Sequence, residues 1–246
     1  MGNRPSIRRA QSRATDARTA AREFHTAVAQ PGMALVIFFC SSAYDLDVLA
    51  EEMARLFAGV QVVGCTTAGE IGPTGYCDHS IAGASFPAGS FTAVCGRIDE
   101  LRQFGIGSGQ AFVQDLLQRL ETLAPQANAE NSFAFLMIDG LCKREEPVTR
   151  VLQSALGKRP LIGGSAGDGL DFGSTHVYFE GRFHAASAVL ILVTTPLPFK
   201  PFMTQHFIAA KERVVVTAAD VERRLVREID GRPAAAAYAE LVGVSA

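Results

Sequence analysis

VVGCTTAGEIG, from Val62 to Gly72, and PLIGGSAGDGLDF, from Pro160 to Phe172, are two glycine-rich segments of related composition. Each follows a short apolar run and consists mainly of Gly, Ala, Ser or Thr together with acidic residues. Glycine permits tight turns and the close approach of another backbone. The two segments, called here the first and second glycine loops, therefore predict loops that hold a ligand or mark a crossover in a sheet.

The surroundings of the two loops repeat at a separation of about one hundred residues, which predicts a duplicated half-domain. The apolar runs ALVIFFC (Ala34–Cys40) and FAFLMID (Phe133–Asp139) have the length of buried strands. An amphipathic helix follows each run, with Asp45 placed to cap the first helix and Gly157 placed to end the second. Two further strand patterns follow each glycine loop.

This order of elements predicts an α/β fold with duplicated β-α-loop-β-β halves, pseudo-twofold symmetry and mixed sheets with flanking helices. The expected repeats cover about residues 30–100 and 130–196, and the amphipathic segment Phe112–Leu123 joins them. Residues 197–246 form a closing segment with two strands, a turn at Asp230–Gly231 and a helix that opens near Pro233. We expect one sensory domain over residues 1–246, ending at a domain boundary.

The composition is typical of a globular protein. Its 246 residues carry a formal net charge of −2, which argues against a nucleic-acid partner, and no apolar run is long enough to span a bilayer. Five cysteines without a CxxC pair indicate a reducing, cytoplasmic compartment. The arginine-rich first twenty residues predict a solvated arm that leads into a helix around Ala20–Ala29.

Several ordered motifs carry a family resemblance. The first glycine loop, IDGL at Ile138–Leu141, the second glycine loop and the closing EIDGRPAAAAYAELVG resemble the N-terminal domain of the FIST family. This resemblance implies an intracellular sensory domain of bacterial signal transduction, without catalysis. It also implies a partner such as a sensor histidine kinase or a cyclic-dinucleotide enzyme. Members that resemble this sequence usually continue into a C-terminal FIST domain, which we expect to be absent here.

Within the family, FFCSSAYDLDVLAEEM and TQHF (Thr204–Phe207) resemble the branch of haem-binding, nitric-oxide-sensing proteins. The resemblance implies haem b as cofactor. A haem site needs an apolar slot and one strong axial donor, which is usually an imidazole. We expect His206 to ligate the iron, with Phe202 and Phe207 lining the slot and His184 at its mouth.

The glycine loops support a second hypothesis, a sensor of a small ligand such as an amino acid, which the family resemblance also implies. Backbone N–H groups and hydroxyls of the loops would hold a carboxylate, and Glu70 or Asp168 would meet an ammonium group. Cys65 is expected to be a pocket residue and not a haem ligand. The loop residues assigned to ligand binding are Gly64, Cys65, Thr66, Thr67, Gly69, Glu70, Gly163, Gly164, Ser165, Gly167 and Asp168.

Two further alternatives stay open. Gly163, Ser165 and Gly167 satisfy the G-x-S-x-G pattern of a serine hydrolase, but the sequence after Ser165 leads into a strand instead of the helix that a nucleophile elbow needs. The domain is alternatively a docking module for a signalling enzyme, or a homo-oligomer, but no motif singles out such a surface.

Overall fold

The computed structural model describes residues 6–204, 208–221 and 223–244. The chain divides into two compact units, a main unit that ends at Pro201 and a terminal unit that begins at Phe202. Within the described ranges, no helix combines the length and the apolar character that a membrane crossing requires.

Two sheets and four helices form the main unit. The helices are α1 Ala17–Val28, α2 Leu46–Leu56, α3 Ile106–Leu123 and α4 Glu145–Leu156. The strands are β1 Arg8–Ser12, β2 Met33–Ser41, β3 Val62–Thr67, β4 Glu70–Gly72, β5 Gly75–Cys77, β6 Ile81–Pro87, β7 Thr92–Ile98, β8 Ser132–Ile138, β9 Leu161–Ser165, β10 Val177–Phe179, β11 Arg182–His184 and β12 Ala188–Thr194. The first sheet has the order β1-β6-β2-β3-β10-β11 and the second the order β7-β12-β8-β9, while β4 and β5 form a separate hairpin. The pairs β2-β3 and β8-β9 are parallel and the other pairs antiparallel, so both sheets are mixed, as predicted.

The layers follow from strands that are apolar on both faces. Along β2, Val36 and Phe38 belong to a core cluster shared with α1 and α2, whereas Leu35 belongs to the cluster between the sheets. Along β12, Leu190 packs with α3 and α4, and Ile191 packs between the sheets. Because successive side chains of a strand point to opposite faces, a continuous apolar run is what a doubly covered strand requires. The main unit is therefore a four-layer sandwich of helices, sheet, sheet and helices.

The helix signals that the sequence carries are used as predicted. Asp45 caps α2, and its Oδ1 accepts a hydrogen bond of 3.1 Å from the Val48 amide. Gly157 ends α4 with a φ of 63°, a conformation that glycine adopts readily. These local signals fix where the helices of each repeat begin and end.

The two halves share more than the predicted pattern. β1-β6-β2-β3 and β7-β12-β8-β9 are the same strand order, with one β-α-β-α-β path through each. One hydrogen bond recurs at the ends of β2 and β8. The amide of Ser41, the last residue of β2, donates to the Ser80 carbonyl, and the amide of Asp139, the residue after β8, donates to the Ser187 carbonyl, both at 3.0 Å. The duplicated α/β fold is thereby confirmed.

Each repeat begins earlier than the sequence predicts, with one further strand and one further helix. The predicted solvated arm contains β1, which pairs with β6 in the position where β7 pairs with β12. The helix around Phe112–Leu123, expected only as a connection, is α3 and corresponds to α1. If the two strands that follow each glycine loop are matched in chain order, β7 corresponds to β12. The strand order of the sheets instead matches β6 with β12, because antiparallel partners cannot be read from apolar runs alone.

The terminal unit has the elements expected of the closing segment. β13 Val216–Asp220, β14 Leu225–Ile229 and β15 Arg232–Pro233 form an antiparallel sheet, followed by α5 Ala234–Val242. The predicted turn at Asp230–Gly231 connects β14 to β15, and Gly243 ends α5 in the left-handed conformation.

Candidate functional site

The two glycine loops touch each other at the carboxyl ends of β3 and β9. The Gly167 amide donates a hydrogen bond of 2.9 Å to the Thr66 carbonyl. A Cβ at Gly167 would lie 3.3 Å from the Ala68 amide nitrogen, so glycine allows this close contact between backbones. The loops of the two halves are thus in direct backbone contact.

A second set of bonds ties His176, the residue just before β10, to β3. The Thr66 amide donates to the His176 carbonyl, and the His176 amide donates to Thr66 Oγ1, both at 3.0 Å. Thr66 is fully buried, and the Nδ1 of His176 is buried without a hydrogen-bond partner among the described residues. Thr66 therefore joins the two halves and does not face a ligand.

A small cleft of about 250 Å³ lies where the loops meet. Its walls come from the turn after β2 (Ser41–Ala43), the first loop (Thr67–Gly69), the turn before β6 (Asp78 and His79) and the second loop (Asp168–Asp171). Pockets that take drug-sized molecules have roughly 300–1,000 Å³. The size of the cleft suits a small metabolite.

The buried acid of the first loop, Glu70, is bonded within the loop. Thr67 Oγ1 donates to Glu70 Oε1 at 2.7 Å, and the Ser80 amide and hydroxyl donate to Oε2 at 3.0 and 2.7 Å. Glu70 is 1% exposed. Its carboxylate anchors the β4-β5 hairpin to the start of β6 and does not have the free face that an ammonium group would need.

Asp168 serves the second loop in the same way. Its Oδ2 accepts hydrogen bonds from the amides of Gly173 (2.6 Å) and Ser174 (2.8 Å), and its Oδ1 accepts one from the Phe172 amide (3.2 Å). A carboxylate that accepts several backbone N–H groups is a strong organiser of a loop. Both acids that the sequence nominated for an ammonium group thus close their own loops, although Asp168 also borders the cleft.

Asp78 and Asp171 are the cleft acids that the sequence reasoning missed. Asp78 lies in the turn after β5, and Tyr76 donates to its Oδ1 a hydrogen bond of 2.6 Å, which raises the pKa of Tyr76. Among the described residues that line the cleft, there are three aspartates and no lysine or arginine. Neither aspartate follows an apolar strand, so only the folded loops reveal them.

Several predicted loop residues have packing roles instead. Cys65 belongs to the core between the sheets, and burial raises the pKa of its thiol to about 12, so it is a neutral thiol away from the cleft. A Cβ at Gly64 would lie 2.6 Å from the Phe38 ring, and one at Gly163 would lie 1.9 Å from the Leu136 carbonyl oxygen. Thr67, Gly69 and Asp168 are the predicted residues that border the cleft.

Of the four haem candidates, His184 and Phe202 are among the described residues. His206 and Phe207 lie outside the described residues, and Phe202 is 79% exposed in the terminal unit. His184 has both ring nitrogens engaged, because Nδ1 contacts the Arg97 guanidinium and Nε2 lies 3.2 Å from the Phe179 carbonyl. Burial lowers the pKa of His184. Because neither ring nitrogen of His184 is free, this side chain is not placed to bind iron, and the prediction for His206 is not tested.

Ser165 is exposed on β9, and the residues after it form an irregular loop that reaches to β10. A nucleophile elbow requires a helix at that point to raise the hydroxyl and form an oxyanion hole. Ser165 therefore lies in a G-x-S-x-G sequence without the strand-turn-helix geometry of a nucleophile elbow.

Other, larger cavities of the main unit lie away from the meeting point of the loops. One of about 720 Å³ lies between the β2-to-β3 connection and β7, with Arg97 and Arg119 in its wall. Arg97 is paired with Asp99 at 2.8 Å, and Arg119 donates to the Cys95 carbonyl. Another, of about 430 Å³, is an apolar groove between the sheets that includes Phe39 and Phe135. Neither is bordered by both glycine loops.

The fold and cleft define a class: a four-layer α/β domain with duplicated halves whose two loops meet at a small polar cleft. Residues 34–232 match the FIST N domain, and the chain belongs to this family, whose members are sensory domains of signal-transduction proteins.

Comparisons outside the family add little. No curated protein matches the sequence. Among solved structures, the chain is similar to one described as "Cyanuric acid hydrolase: evolutionary innovation by structural concatenation", with 10% identity, a TM-score of 0.41, and coverage of 76% of this chain and 67% of that chain. A similarity this remote carries no inference about ligand or reaction.

Proposed function

We propose that this domain is the input domain of a bacterial signalling pathway and detects a small ligand in the cleft between the glycine loops. The observation that carries the proposal is the backbone contact of the two halves, Gly167 N to Thr66 O at 2.9 Å, beside a cleft of about 250 Å³. A ligand there contacts both halves at once. Such a ligand stabilises one arrangement of the loops over another, which is how binding shifts a population of states.

The charges of the cleft favour a ligand with an ammonium group. Asp78, Asp168 and Asp171 border the cleft, and Asp168 is already engaged by backbone amides of its own loop. Asp78 and Asp171 are therefore the carboxylates we assign to the cation. A free amino acid or a small amine has this charge and this size, and no chemistry on a substrate is required.

The second glycine loop is the element we expect to transmit binding. It lines the cleft at Asp168–Asp171, and the segment that follows it is bonded to Thr66 at His176. A shift of this loop reaches the surface through Leu170 and Phe172, which are 88% and 70% exposed. The partner is a signalling enzyme of the histidine-kinase or cyclic-dinucleotide class, as the family resemblance implies. All five cysteines are free, which supports a reducing cytoplasm.

The binding test uses the full chain and a panel of amino acids and small amines, read by thermal shift and then by calorimetry. One or more compounds should raise the melting temperature, and Asp78→Asn or Asp171→Asn should weaken that binding at least tenfold. Asp115→Asn, an exposed carboxylate on α3 that pairs with Arg119 at 3.6 Å, is the matched control and should bind normally. A panel in which simple anions bind better than amines would contradict the assignment.

Haem binding with nitric-oxide sensing is the second proposed function, and the sequence phrase TQHF favours it. Because His184 is not placed to bind iron, the proposal depends on His206. The test is the visible spectrum of the full chain purified with haem supplied. A Soret band that shifts in His206→Ala but not in Gln205→Ala would support it, and a colourless protein would count against it.

A further inference from the structure

The second sheet ends at β9, and no strand among the described residues covers its outer edge. The Ala166 amide donates to the Ile138 carbonyl, and the Ala134 amide donates to the Pro160 carbonyl. In β9, the even-numbered residues therefore direct their backbone groups towards β8. In that alternation the amides of Gly163 and Ser165 point away from β8. Residues 163–165 are exposed. β9 therefore presents backbone donors on an open edge, which is a template for another strand.

The matching edge in the first half is covered. β3 corresponds to β9 in strand order, and β10 pairs with it antiparallel, with Tyr178 opposite Gly64. The Thr66 amide, which corresponds to that of Ser165, donates to the His176 carbonyl. The covering strand belongs to the hairpin β10-β11, which comes from the other half. The first half thus demonstrates what an edge of this kind accepts: a hairpin that follows the glycine loop of another repeat.

The counterpart of that hairpin in the first half is β4-β5. Each hairpin has two three-residue strands, a two-residue turn, and then two residues and a serine before the next strand. The second of those two residues is left-handed in both halves, His79 with φ 51° and Ala186 with φ 48°. Ile71 opposite Tyr76 in β4-β5 corresponds to Tyr178 opposite Phe183 in β10-β11.

The two hairpins differ in what covers their central pair. Tyr178 is 1% exposed, packs edge-to-face against Phe38 with ring centroids 5.1 Å apart and also contacts Phe183. Ile71 and Tyr76 are 83% and 60% exposed, and β4-β5 pairs with no other strand of the described residues. The chain therefore carries both parts of one contact, an uncovered edge and an uncovered hairpin.

We propose that β9 is an assembly surface that accepts the β4-β5 hairpin of a second copy of this chain. Ile71 of one copy lies opposite Gly163 of the other, as Tyr178 lies opposite Gly64 within one chain. The Ser165 amide donates to the carbonyl of Gly69, the residue that precedes β4 as His176 precedes β10. Exchange of hairpins in both directions gives a symmetric dimer held by two equal contacts.

The test measures the mass of the full chain by light scattering and sedimentation. Wild type should be a dimer at micromolar concentration. Ile71→Asp, which places a charge in the hairpin pair, and Ser165→Pro, which removes an outward donor that an edge strand tolerates losing, should each give a monomer. Ile106→Asp, at an exposed position at the start of α3, is the matched control and should remain a dimer. Thermal unfolding of each variant verifies that it is folded.

Mixing the two monomeric variants separates this proposal from a general loss of association. Ile71→Asp keeps an intact β9 and Ser165→Pro keeps an intact hairpin, so one contact can form between them. The mixture should give a 1:1 heterodimer at least tenfold weaker than the wild-type dimer. A monomeric wild type, a dimer that neither substitution weakens, or variants that fail to complement each other would overturn the proposal.

Discussion

The two halves of the main unit have the same strand order but different neighbours. In the first half, β10 covers the edge of β3, and Thr66 is fully buried. In the second half, the corresponding edge of β9 is open, and Ser165 is exposed. The comparison teaches that duplicated topology does not fix the environment of duplicated residues. The same loop position is a buried joint in one half and an accessible surface in the other.

The largest expected effect comes from the paired glycines Gly64 and Gly163. A Cβ at Gly163, where φ is 148°, would lie 1.9 Å from the Leu136 carbonyl oxygen, so the main chain would have to move. A Cβ at Gly64 would instead meet the Phe38 ring, which is a side chain and can shift. Gly163→Ala should lower the free energy of unfolding by about 4 kcal/mol and Gly64→Ala by about 2 kcal/mol. Urea unfolding of both variants measures the difference, and equal losses would contradict the comparison.

The next effect concerns the ends of the central strands, Ser41 in β2 and Asp139 after β8. Asp139 is buried and accepts hydrogen bonds from the Leu141 amide at 2.8 Å and from Thr175 Oγ1 at 2.6 Å. Ser41 Oγ accepts only a bond of 3.2 Å from the Ala43 amide among the bonds of the described chain. Asp139→Ala should lower the free energy of unfolding by about 3 kcal/mol, because it leaves buried donors without acceptors.

Ser41→Ala is the matched variant and should lower the free energy of unfolding by about 0.5 kcal/mol. The two free energies come from the same denaturant titration. If Ser41→Ala proved as damaging as Asp139→Ala, the hydrogen bonds of Asp139 would not explain the asymmetry between the halves.

The smallest expected effect on stability concerns the ion pairs of Glu52, one of which joins α1 and α2. Glu52 of α2 accepts hydrogen bonds from Arg55 and from Arg22 of α1, both at 2.7 Å, and these guanidinium groups lower the pKa of Glu52 to about 2. Since the folded pKa lies below the unfolded one of about 4.3, the pairing stabilises the fold above about pH 4. That stabilisation is lost as the pH falls towards 2.

Both arginines are largely exposed, so solvent screens the interaction, and Glu52→Gln should cost only about 1 kcal/mol at pH 7. Wild type and variant should become equal in stability near pH 2, as measured by thermal unfolding across pH. Glu51→Gln, whose pair with Arg18 is exposed and 3.6 Å long, is the control and should have no measurable effect. A difference that persists at pH 2 would exclude the ion pair as its cause.

Local signals were enough to predict the buried strands, the helix ends and the duplication. Asp45 and Gly157 act through neighbours in sequence, and continuous apolar runs such as β2 mark strands covered on both faces. The strand β1 was missed because RRAQS has no apolar run, and only its pairing with β6 makes it a strand. Edge strands of this kind are defined by a distant partner.

The sequence nominated the two glycine loops as a candidate site, but not the acids that border the cleft between them. The glycine loops meet, but which of their acids face the cleft depends on hydrogen bonds that no pattern reveals. Glu70 and Asp168 are conspicuous in sequence and are engaged by their own loops. Asp78 and Asp171 are inconspicuous and border the cleft. The outcome for His206 stays a prediction, because that residue lies outside the described ranges.

The placement of β10 and β11 in the first sheet has a consequence during synthesis. That sheet is incomplete until His184 has left the ribosome, about one hundred residues after β6 has emerged. Until then the aromatic ring of Phe38 and the helix α2 lack the cover that Tyr178 provides. At roughly 5–20 residues per second, the nascent chain therefore exposes this apolar surface for several seconds of translation.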